Sequence, residues 1–200
     1  MRLRVSRVVP AIALVAGLIA APFATAADKP TAAEWQKVVD KATAFLKSSQ
    51  EENGGWSTKR SIGVTGVVVT GLLQSGTGAD AEPTAKGLKF VESLVNPKAG
   101  HIAGDNPKDG LKNYVTSVNV LALTAAKSDK YKPVICDAVK FLKALQWDDA
   151  EGKKADDDFY GGAGYDSKSR PDLSNTQFFL DALKAGGVAA DDDAFKKAAV

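Results

Sequence analysis

The chain has 200 residues, of which 44% are hydrophobic and 25% are charged, and its formal net charge is +2. It is long enough for one domain with a sizeable core, and it has no cationic surplus for binding nucleic acid. Cys136 is the only cysteine, so no internal disulfide can form. We expect this cysteine to be a small buried residue on a helix.

The first 26 residues have the pattern of a secretory signal peptide. Arginines precede an apolar run, and Ala24-Thr25-Ala26 supplies the small residues that a signal peptidase accepts. A membrane anchor fits less well, because the run contains Pro10 and Pro22 and is shorter than the roughly 20 residues of a spanning helix. We therefore expect cleavage after Ala26, export to the periplasm or the medium, and no stable membrane span in the mature chain.

Three segments have the spacing of amphipathic helices, with apolar residues three and four positions apart and charged residues elsewhere. Asp28 or Thr31 could cap the first segment, and Pro133 suits the first turn of the third. The apolar positions are Trp35, Val38, Val39, Ala42, Phe45 and Leu46, then Gly87, Phe90, Val91 and Leu94, and then Val134, Ile135, Ala138, Phe141, Leu142 and Leu145.

Three further segments, which begin at Gly63, Asn113 and Leu173, are nearly free of charge. A helix that is apolar on most of its circumference must be covered on more than one side. These segments therefore predict an inner layer of helices, sheltered by the amphipathic outer ones. Val64 to Thr70 alone fits a strand equally well, because β-branched residues and glycine disfavour a helix.

Aligning the segments reveals an internal repeat. Phe45, Phe90 and Phe141 share one register in the outer segments, and Thr65, Thr116 and Thr176 share one in the inner segments. Because the third inner copy reads as a helix, the first should be a helix too. A period of roughly 50 residues predicts stacked pairs of helices.

The first repeat resembles the QW repeat of squalene-hopene cyclases and related terpene cyclases, within the wider prenyltransferase and squalene-oxidase repeat superfamily. The resemblance implies an all-α fold, an α/α toroid of inner and outer helices, in which a glutamine and a tryptophan clasp each helix pair. In the second copy Val95 replaces the glutamine. The residues that carry the resemblance are Lys41-Ala42, Phe45-Leu46, Gln50 and Gly55-Trp56, and Gln146 with Tyr165 would form the clasp of the third copy.

The resemblance assigns residues 27–200 to three repeats and the start of a fourth. The final residues, FKKAAV, place Lys197 and Ala198 where Lys41 and Ala42 stand in the first repeat. The chain ends within this predicted helix. We therefore expect a truncated toroid whose uncovered C-terminal edge could support self-association.

The related cyclases protonate an alkene with an aspartic acid of a DxDD motif. The nearest match is Asp156, Asp157 and Asp158, which lacks the first aspartate and lies in an acidic stretch. A solvated loop, or a weak site for a hard cation, are the alternative interpretations of that stretch. His101 and Cys136 have no ligand-like arrangement for zinc, so we expect no metal and no cofactor.

Polar residues near the predicted inner helices are candidates for orienting a ligand. Tyr165, Arg170 and Asn175 lie in or beside the segment that opens the third inner helix, and Asn119 is polar on an otherwise apolar helix. Helix capping, by Asp172 or by Ser174 with Gln177, is an alternative role for some of the polar residues in this segment.

The leading interpretation is a secreted repeat protein that binds an apolar, isoprenoid-like ligand or a partner on its concave inner face, without demonstrated catalysis. One alternative is a terpene cyclase or prenyltransferase-like enzyme whose catalytic residues lie beyond residue 200. Another is a carbohydrate-active toroid, which would need paired carboxylates. The inner segments offer only Asp181 as a carboxylate, which counts against the carbohydrate-active alternative.

Overall fold

The computed structural model describes residues 29–106 and 111–199, so the predicted leader and Val200 lie outside the described residues. This part of the chain is helical, and its only strand-like feature is an isolated bridge between Val95 and Ile102. The all-α prediction is therefore confirmed. The helices are α1 (Ala32–Ser49), α2 (Gly63–Gln74), α3 (Thr84–Ser93), α4 (Lys112–Ala125), α5 (Lys132–Lys143), α6 (Leu173–Ala185) and α7 (Asp193–Ala198), with short 3₁₀ turns at Asp129–Tyr131 and Asp149–Glu151.

The helix starts follow from local side-chain hydrogen bonds. At α1, Thr31 and Glu34 form a capping box, in which the Thr31 hydroxyl accepts from the Glu34 N–H. At α6, the Asp172 carboxylate accepts from the Asn175 N–H at 2.9 Å, so Asp172 is the cap and Ser174 lies inside the helix. The charge-free segment from Gly63 forms α2, which rules out the strand alternative.

The helices pack in two sets. α2, α4 and α6 lie side by side in that order, while α3 packs on α2 and α4, and α5 packs on α4 and α6. The core between the sets contains Leu72, Val91, Leu123, Leu142 and Leu183. The packing of α3 and α5 on α2, α4 and α6 agrees with the predicted outer and inner sets. Only α4 is as sheltered as expected, with nine buried residues, whereas α6 has four, the same number as the outer helix α3.

Two glycines allow close contacts that a larger residue would prevent. A Cβ on Gly66 would overlap the Asn119 side-chain oxygen and lie 3.1 Å from the Val118 carbonyl, so this glycine lets α2 and α4 approach each other. A Cβ on Gly87 would lie 2.5 Å from a Val69 methyl and 2.9 Å from the Trp56 ring. α3 therefore rests directly on Trp56.

The three aligned threonines make the same hydrogen bond. The Thr65 hydroxyl accepts from the Trp56 N–H at 3.0 Å, and the hydroxyl of Thr176 accepts from the Ala163 N–H at 3.0 Å. Between them in the chain, Thr116 accepts from the Ile102 N–H at 3.2 Å. The three threonines that align in the sequence therefore occupy equivalent positions in the structure, where each inner helix contacts the loop before it.

The loops also contact the following outer helix in a repeated way. Gly54, Gly100 and Gly161 have positive φ values of 87°, 81° and 72°, which glycine adopts without strain. Each lies against a backbone carbonyl of the next outer helix. These carbonyls belong to the aligned residues Lys86, Asp137 and Lys197. α7 therefore stands in the same register as α3 and α5, as the alignment of FKKAAV predicted.

The surface differs from the sequence-based expectation in two places. Cys136 is exposed, because it points away from the buried face of α5 that carries Ala138 and Leu142. The uncovered apolar edge lies on α1, where Trp35 and Phe45 are 61% and 68% exposed. At the C-terminal end, Phe195 of α7 instead packs against the core, so the described residues do not place the edge where we expected it.

No helix within residues 29–106 and 111–199 combines the length and the hydrophobicity that crossing a bilayer requires.

The loop-to-threonine hydrogen bond can be tested with Thr116→Val. Valine has nearly the same shape, but it leaves the buried Ile102 N–H without an acceptor, so we expect a loss of about 1–3 kcal/mol in the free energy of unfolding. Thr70→Val is the matched control, because the Thr70 hydroxyl donates only to the Gly66 carbonyl of its own helix. Urea unfolding measures both variants, and equal losses would contradict the assigned role of Thr116.

Candidate functional site

The first repeat contains a clasp formed by Gln50 and Trp56. The Gln50 side-chain amide donates to the carbonyl of Gly54 at 2.8 Å and to that of Pro83 at 3.0 Å. The Trp56 indole N–H donates to the Leu46 carbonyl in the last turns of α1 at 2.8 Å. The clasp therefore joins the end of α1, the loop that follows it and the start of α3.

Gln146 repeats this geometry in the third copy. Its side-chain amide donates to the carbonyls of Gly161 and Ala194, both at 2.8 Å, and the residue is 3% exposed. Ala194 lies in the first turn of α7, as Pro83 lies at the start of α3. The glutamine thus ties its loop to the next outer helix in both copies.

Tyr165 does not take the place of Trp56. Ala163 occupies that position, because its N–H donates to Thr176 as the Trp56 N–H donates to Thr65. Tyr165 is 45% exposed and uses its backbone carbonyl to accept from the Asn113 N–H at 2.9 Å. Alignment on Gly164-Tyr165 is misleading, because the pair that corresponds to Gly54-Gly55 is Gly161-Gly162, which Ala163 follows.

The second copy replaces the clasp with a buried histidine. His101 stands where Gly55 and Gly162 stand in the other loops, is 4% exposed, and packs edge-on against the Phe141 ring at 5.3 Å. Its Nε2 lies 3.1 Å from the Lys112 Nζ. Burial, followed by the charge of Lys112, lowers the pKa of His101, so this ring is neutral at pH 7. Sequence reasoning treated it as a loop residue and missed its burial.

The four predicted ligand-orienting residues are not brought together. Asn119 is fully buried and donates to the Ile102 carbonyl at 2.7 Å, while Asn175 is 2% exposed and donates to the Asp172 carboxylate at 2.6 Å. The Arg170 guanidinium lies over the Phe159 ring at 5.3 Å, and Tyr165 faces solvent. Asn119 thus joins the second loop to α4, whereas Asn175 contacts the cap residue of its own helix.

Arg170 lines a cavity of about 390 Å³ at the start of α6, together with Tyr160, Pro171 and Thr176. The lining of this cavity does not include Asn119, Tyr165 or Asn175. It therefore does not form the four-residue pocket that the sequence suggested.

The acidic stretch forms turns and ion pairs. Asp157 accepts from the Phe159 N–H at 3.0 Å and from Lys153 at 3.2 Å, and these two hydrogen bonds lower its pKa. Asp156 and Asp158 are exposed. An alkene-protonating acid would instead need a neutral carboxyl in an apolar site. Nowhere in the described ranges do three His, Cys, Asp or Glu side chains converge to hold a metal ion.

A cavity of about 610 Å³ lies between α5 and the ends of α4 and α6, with Leu123, Ile135 and Val139 in its walls. Cys136 also lines it. Because an outer helix forms one wall, this cavity is a seam between the two layers and not part of the inner face.

The inner face is the side of α2, α4 and α6 that the outer helices leave uncovered. Val67 is 47% exposed on α2, and Leu121 is partly exposed on α4. Tyr114 of α4 packs edge-on against Phe178 of α6, with ring centroids 5.2 Å apart. Tyr114 and Phe178 are in contact, and Val67 and Leu121 are further apolar residues that are exposed or partly exposed on α2 and α4. We call these four residues the inner strip.

The inner strip is nearly free of charge. α2 has no ionisable side chain, α4 has only Lys112 and Tyr114, and α6 carries Asp181 and Lys184. Asp181 is exposed. The described parts of α2, α4 and α6 therefore present mainly uncharged side chains.

An ion pair between Lys197 and Asp148 joins α7 to the third loop, and its contribution to stability can be tested by changing the pH. Lys197 donates to Asp148 at 2.6 Å, and the two side chains are 30% and 17% exposed. Burial opposes the charged form of Asp148, but hydrogen bonds from Lys197 and from the Ala150 N–H outweigh it and lower the pKa of this carboxyl.

We expect Asp148→Asn to lower the free energy of unfolding at pH 7 by about 1 kcal/mol. Because the folded pKa lies below the value of about 3.9 in an unfolded chain, this stabilisation is complete above that value and is lost as the pH falls through the folded pKa. Urea unfolding at neutral and at acidic pH measures the difference, with the exposed Asp156→Asn as control. An equal loss at both pH values would show that the charge of Asp148 is not responsible.

Comparison of the chain with protein-family models, with curated proteins and with solved structures found no match. The similarity of the first repeat to a QW repeat therefore rests on the positions of Gln50 and Trp56 and on the hydrogen bonds that they form.

Proposed function

We propose that the chain forms an arc of an α/α toroid, with α2, α4 and α6 as its inner helices and α1, α3, α5 and α7 as its outer ones. Two observations support this arrangement. The inner helices are in contact in the order α2, α4 and α6, and α3 and α5 pack against them. In addition, the three loops meet the inner and outer helices through equivalent contacts at Gly54, Gly100 and Gly161.

We propose further that this protein binds an apolar, isoprenoid-like molecule on the inner strip. The observation that carries the proposal is the uncharged surface formed by Val67, Tyr114, Leu121 and Phe178 across three helices. Aromatic and aliphatic side chains of this kind gain free energy when a hydrocarbon covers them, at about 25 cal/mol per Å².

The affinity should be moderate. Covering roughly 200 Å² of the protein and a similar area of the ligand yields about 10 kcal/mol before the cost of association. That cost is at least about 4 kcal/mol, which leaves an affinity in the micromolar range or weaker. Polar selectivity would come from the Tyr114 hydroxyl and from Asp181 at the edge of the strip.

The proposal does not include catalysis. A cyclase needs a neutral carboxylic acid held in an apolar site, and the described residues place Asp156 and Asp158 in solvent and pair Asp157 with Lys153. The alternative, an enzyme with catalytic residues beyond residue 200, would reuse the same inner strip as part of its substrate site.

Val67→Glu tests the proposed ligand site. Farnesol is a suitable uncharged isoprenoid probe, and saturation-transfer NMR can follow its binding to the purified protein. We expect the substitution to weaken binding at least about tenfold, because a carboxylate on the strip must lose water when the hydrocarbon covers it.

Val38→Glu on α1 is the matched control, since Val38 is 56% exposed and lies outside the inner strip. It should bind farnesol like the unaltered protein. Equal weakening in both variants, or no binding by the unaltered protein, would refute the site. The cyclase alternative would be favoured if the protein converted squalene to a product and if alanine at Asp156, Asp157 and Asp158 abolished that product.

A further inference from the structure

The loop between α3 and α4, whose described residues 95–106 we call the second loop, is held in place by a group that can titrate. His101 of this loop is 4% exposed, and its ring packs edge-on against the Phe141 ring of α5 with centroids 5.3 Å apart. Its Nε2 lies 3.1 Å from the Nζ of Lys112, the first residue of α4. The histidine ring therefore joins the loop to an outer helix and to an inner helix.

This contact requires the neutral form of the ring. The ammonium group of Lys112 can only donate a hydrogen bond, so Nε2 of His101 accepts it and the single ring proton lies on Nδ1. Nδ1 has no hydrogen-bond partner among the described residues, so no carboxylate in the described ranges binds the ring. A second ring proton would lie on Nε2, where it would face the positive charge of Lys112.

The other charged groups near the ring do not remove this conflict. Burial is the main cause that lowers the pKa of His101, and the charge of Lys112 lowers it further, while the carboxylate of Asp105 in the same loop opposes them. On α5, Asp137 pairs with Lys140 at 3.0 Å. Burial and Lys112 together outweigh Asp105, so the folded protein binds a proton at His101 less readily than an exposed histidine does.

The first and third loops are tied down by groups that do not titrate. The side-chain amide of Gln50 binds the first loop and the start of α3, and that of Gln146 binds the third loop and α7. In the second copy, Val95 stands in place of the glutamine and cannot form these hydrogen bonds. His101 is the only histidine of the chain. Of the three loops, the second is thus the one whose attachment depends on a group that titrates near neutral pH.

We propose that the contact between His101 and Lys112 is an acid-sensitive switch, and that protonation of His101 releases the second loop from α4 and α5. Release would separate the two hydrogen bonds of the next residue, Ile102. Its N–H donates to Thr116 at 3.2 Å, and its carbonyl accepts from Asn119 at 2.7 Å. Acid would therefore loosen the middle of the repeat array, while the glutamine clasps on either side remain closed.

The direction of the pH dependence follows from proton linkage. In the released loop the ring is in water, where its pKa is about 6.5, and in the closed loop the pKa is lower. The contact is therefore fully formed above about pH 6.5 and weakens as the pH falls below that value. The ratio of released to closed loop rises about tenfold for each pH unit, until the pH reaches the pKa of the closed form.

Native-state hydrogen exchange of the Ile102 amide tests the switch, after correction for the intrinsic effect of pH on exchange. At about pH 7.5 the amides of Trp56, Ile102 and Ala163 should exchange equally slowly. On acidification to about pH 5 we expect exchange at Ile102 to accelerate at least about tenfold. Trp56 and Ala163 should not follow, because glutamines close their loops. Equal acceleration at all three amides, or none at Ile102, would refute the switch.

Two variants separate the titration of His101 from a purely structural role. His101→Phe keeps an aromatic ring that cannot bind a proton, so the additional acid sensitivity of Ile102 exchange should disappear. Lys112→Met removes the opposing charge, so accelerated exchange should begin at a lower ratio of protonation cost, that is, with a smaller difference between about pH 7.5 and about pH 5. Lys132→Met, at the first position of α5, is the matched control and should behave like the unaltered protein.

The ring itself provides an independent measurement that does not require the variants to fold. Because the chain has a single histidine, its imidazole signals in an NMR pH titration belong to His101. We expect them to titrate below about 6.5 in the unaltered protein and at a higher pH in Lys112→Met. Titration of the unaltered protein at or above about 6.5 would overturn the proposal. So would a Lys112→Met variant whose exchange and titration match those of the unaltered protein.

Discussion

The fold depends on a hydrogen bond, repeated three times, from a loop N–H to the threonine near the start of the next inner helix. Each of these hydroxyls is the acceptor for a loop amide that the packing removes from water, and an unsatisfied amide there would cost about 1–3 kcal/mol. The bond therefore fixes how each inner helix is rotated relative to its loop. The left-handed glycine two residues earlier in the loop then sets the next outer helix against the same loop. One short segment thus positions two helices.

The same loop closure explains how the third repeat accommodates its acidic insertion. In the first repeat the Glu51 N–H donates to the Gly55 carbonyl at 2.9 Å, and in the third the Trp147 N–H donates to the Gly162 carbonyl at 2.9 Å. The ends of the loop are therefore equally close, although the third loop is much longer. Gln146 strengthens this closure by binding both the loop and α7. The insertion can vary in charge and length without changing the helices that form the inner strip.

Much of the architecture could be predicted from the sequence, because helical periodicity and the aligned threonines depend on local spacing. The roles of individual loop residues could not be predicted from the sequence. Tyr165 looked like the partner of Gln146, but Gly161-Gly162 is the pair that corresponds to Gly54-Gly55, so Ala163 takes the place of Trp56. Asn119 and Asn175 looked like ligand groups, yet backbone and capping contacts use their amides. The exposure of Cys136 was predictable, because the helical spacing of Val134, Ala138 and Phe141 places it on the opposite side of α5.

The inner strip depends on this repeat, because the threonine bonds set how each inner helix is rotated relative to its loop. Native-state hydrogen exchange of the amides of Trp56, Ile102 and Ala163 is therefore the most direct test. If the threonine bonds hold the repeats together, these three amides will exchange only through large-scale unfolding, as slowly as the core of α4. Exchange within minutes, at the rate of exposed loop amides, would contradict the account.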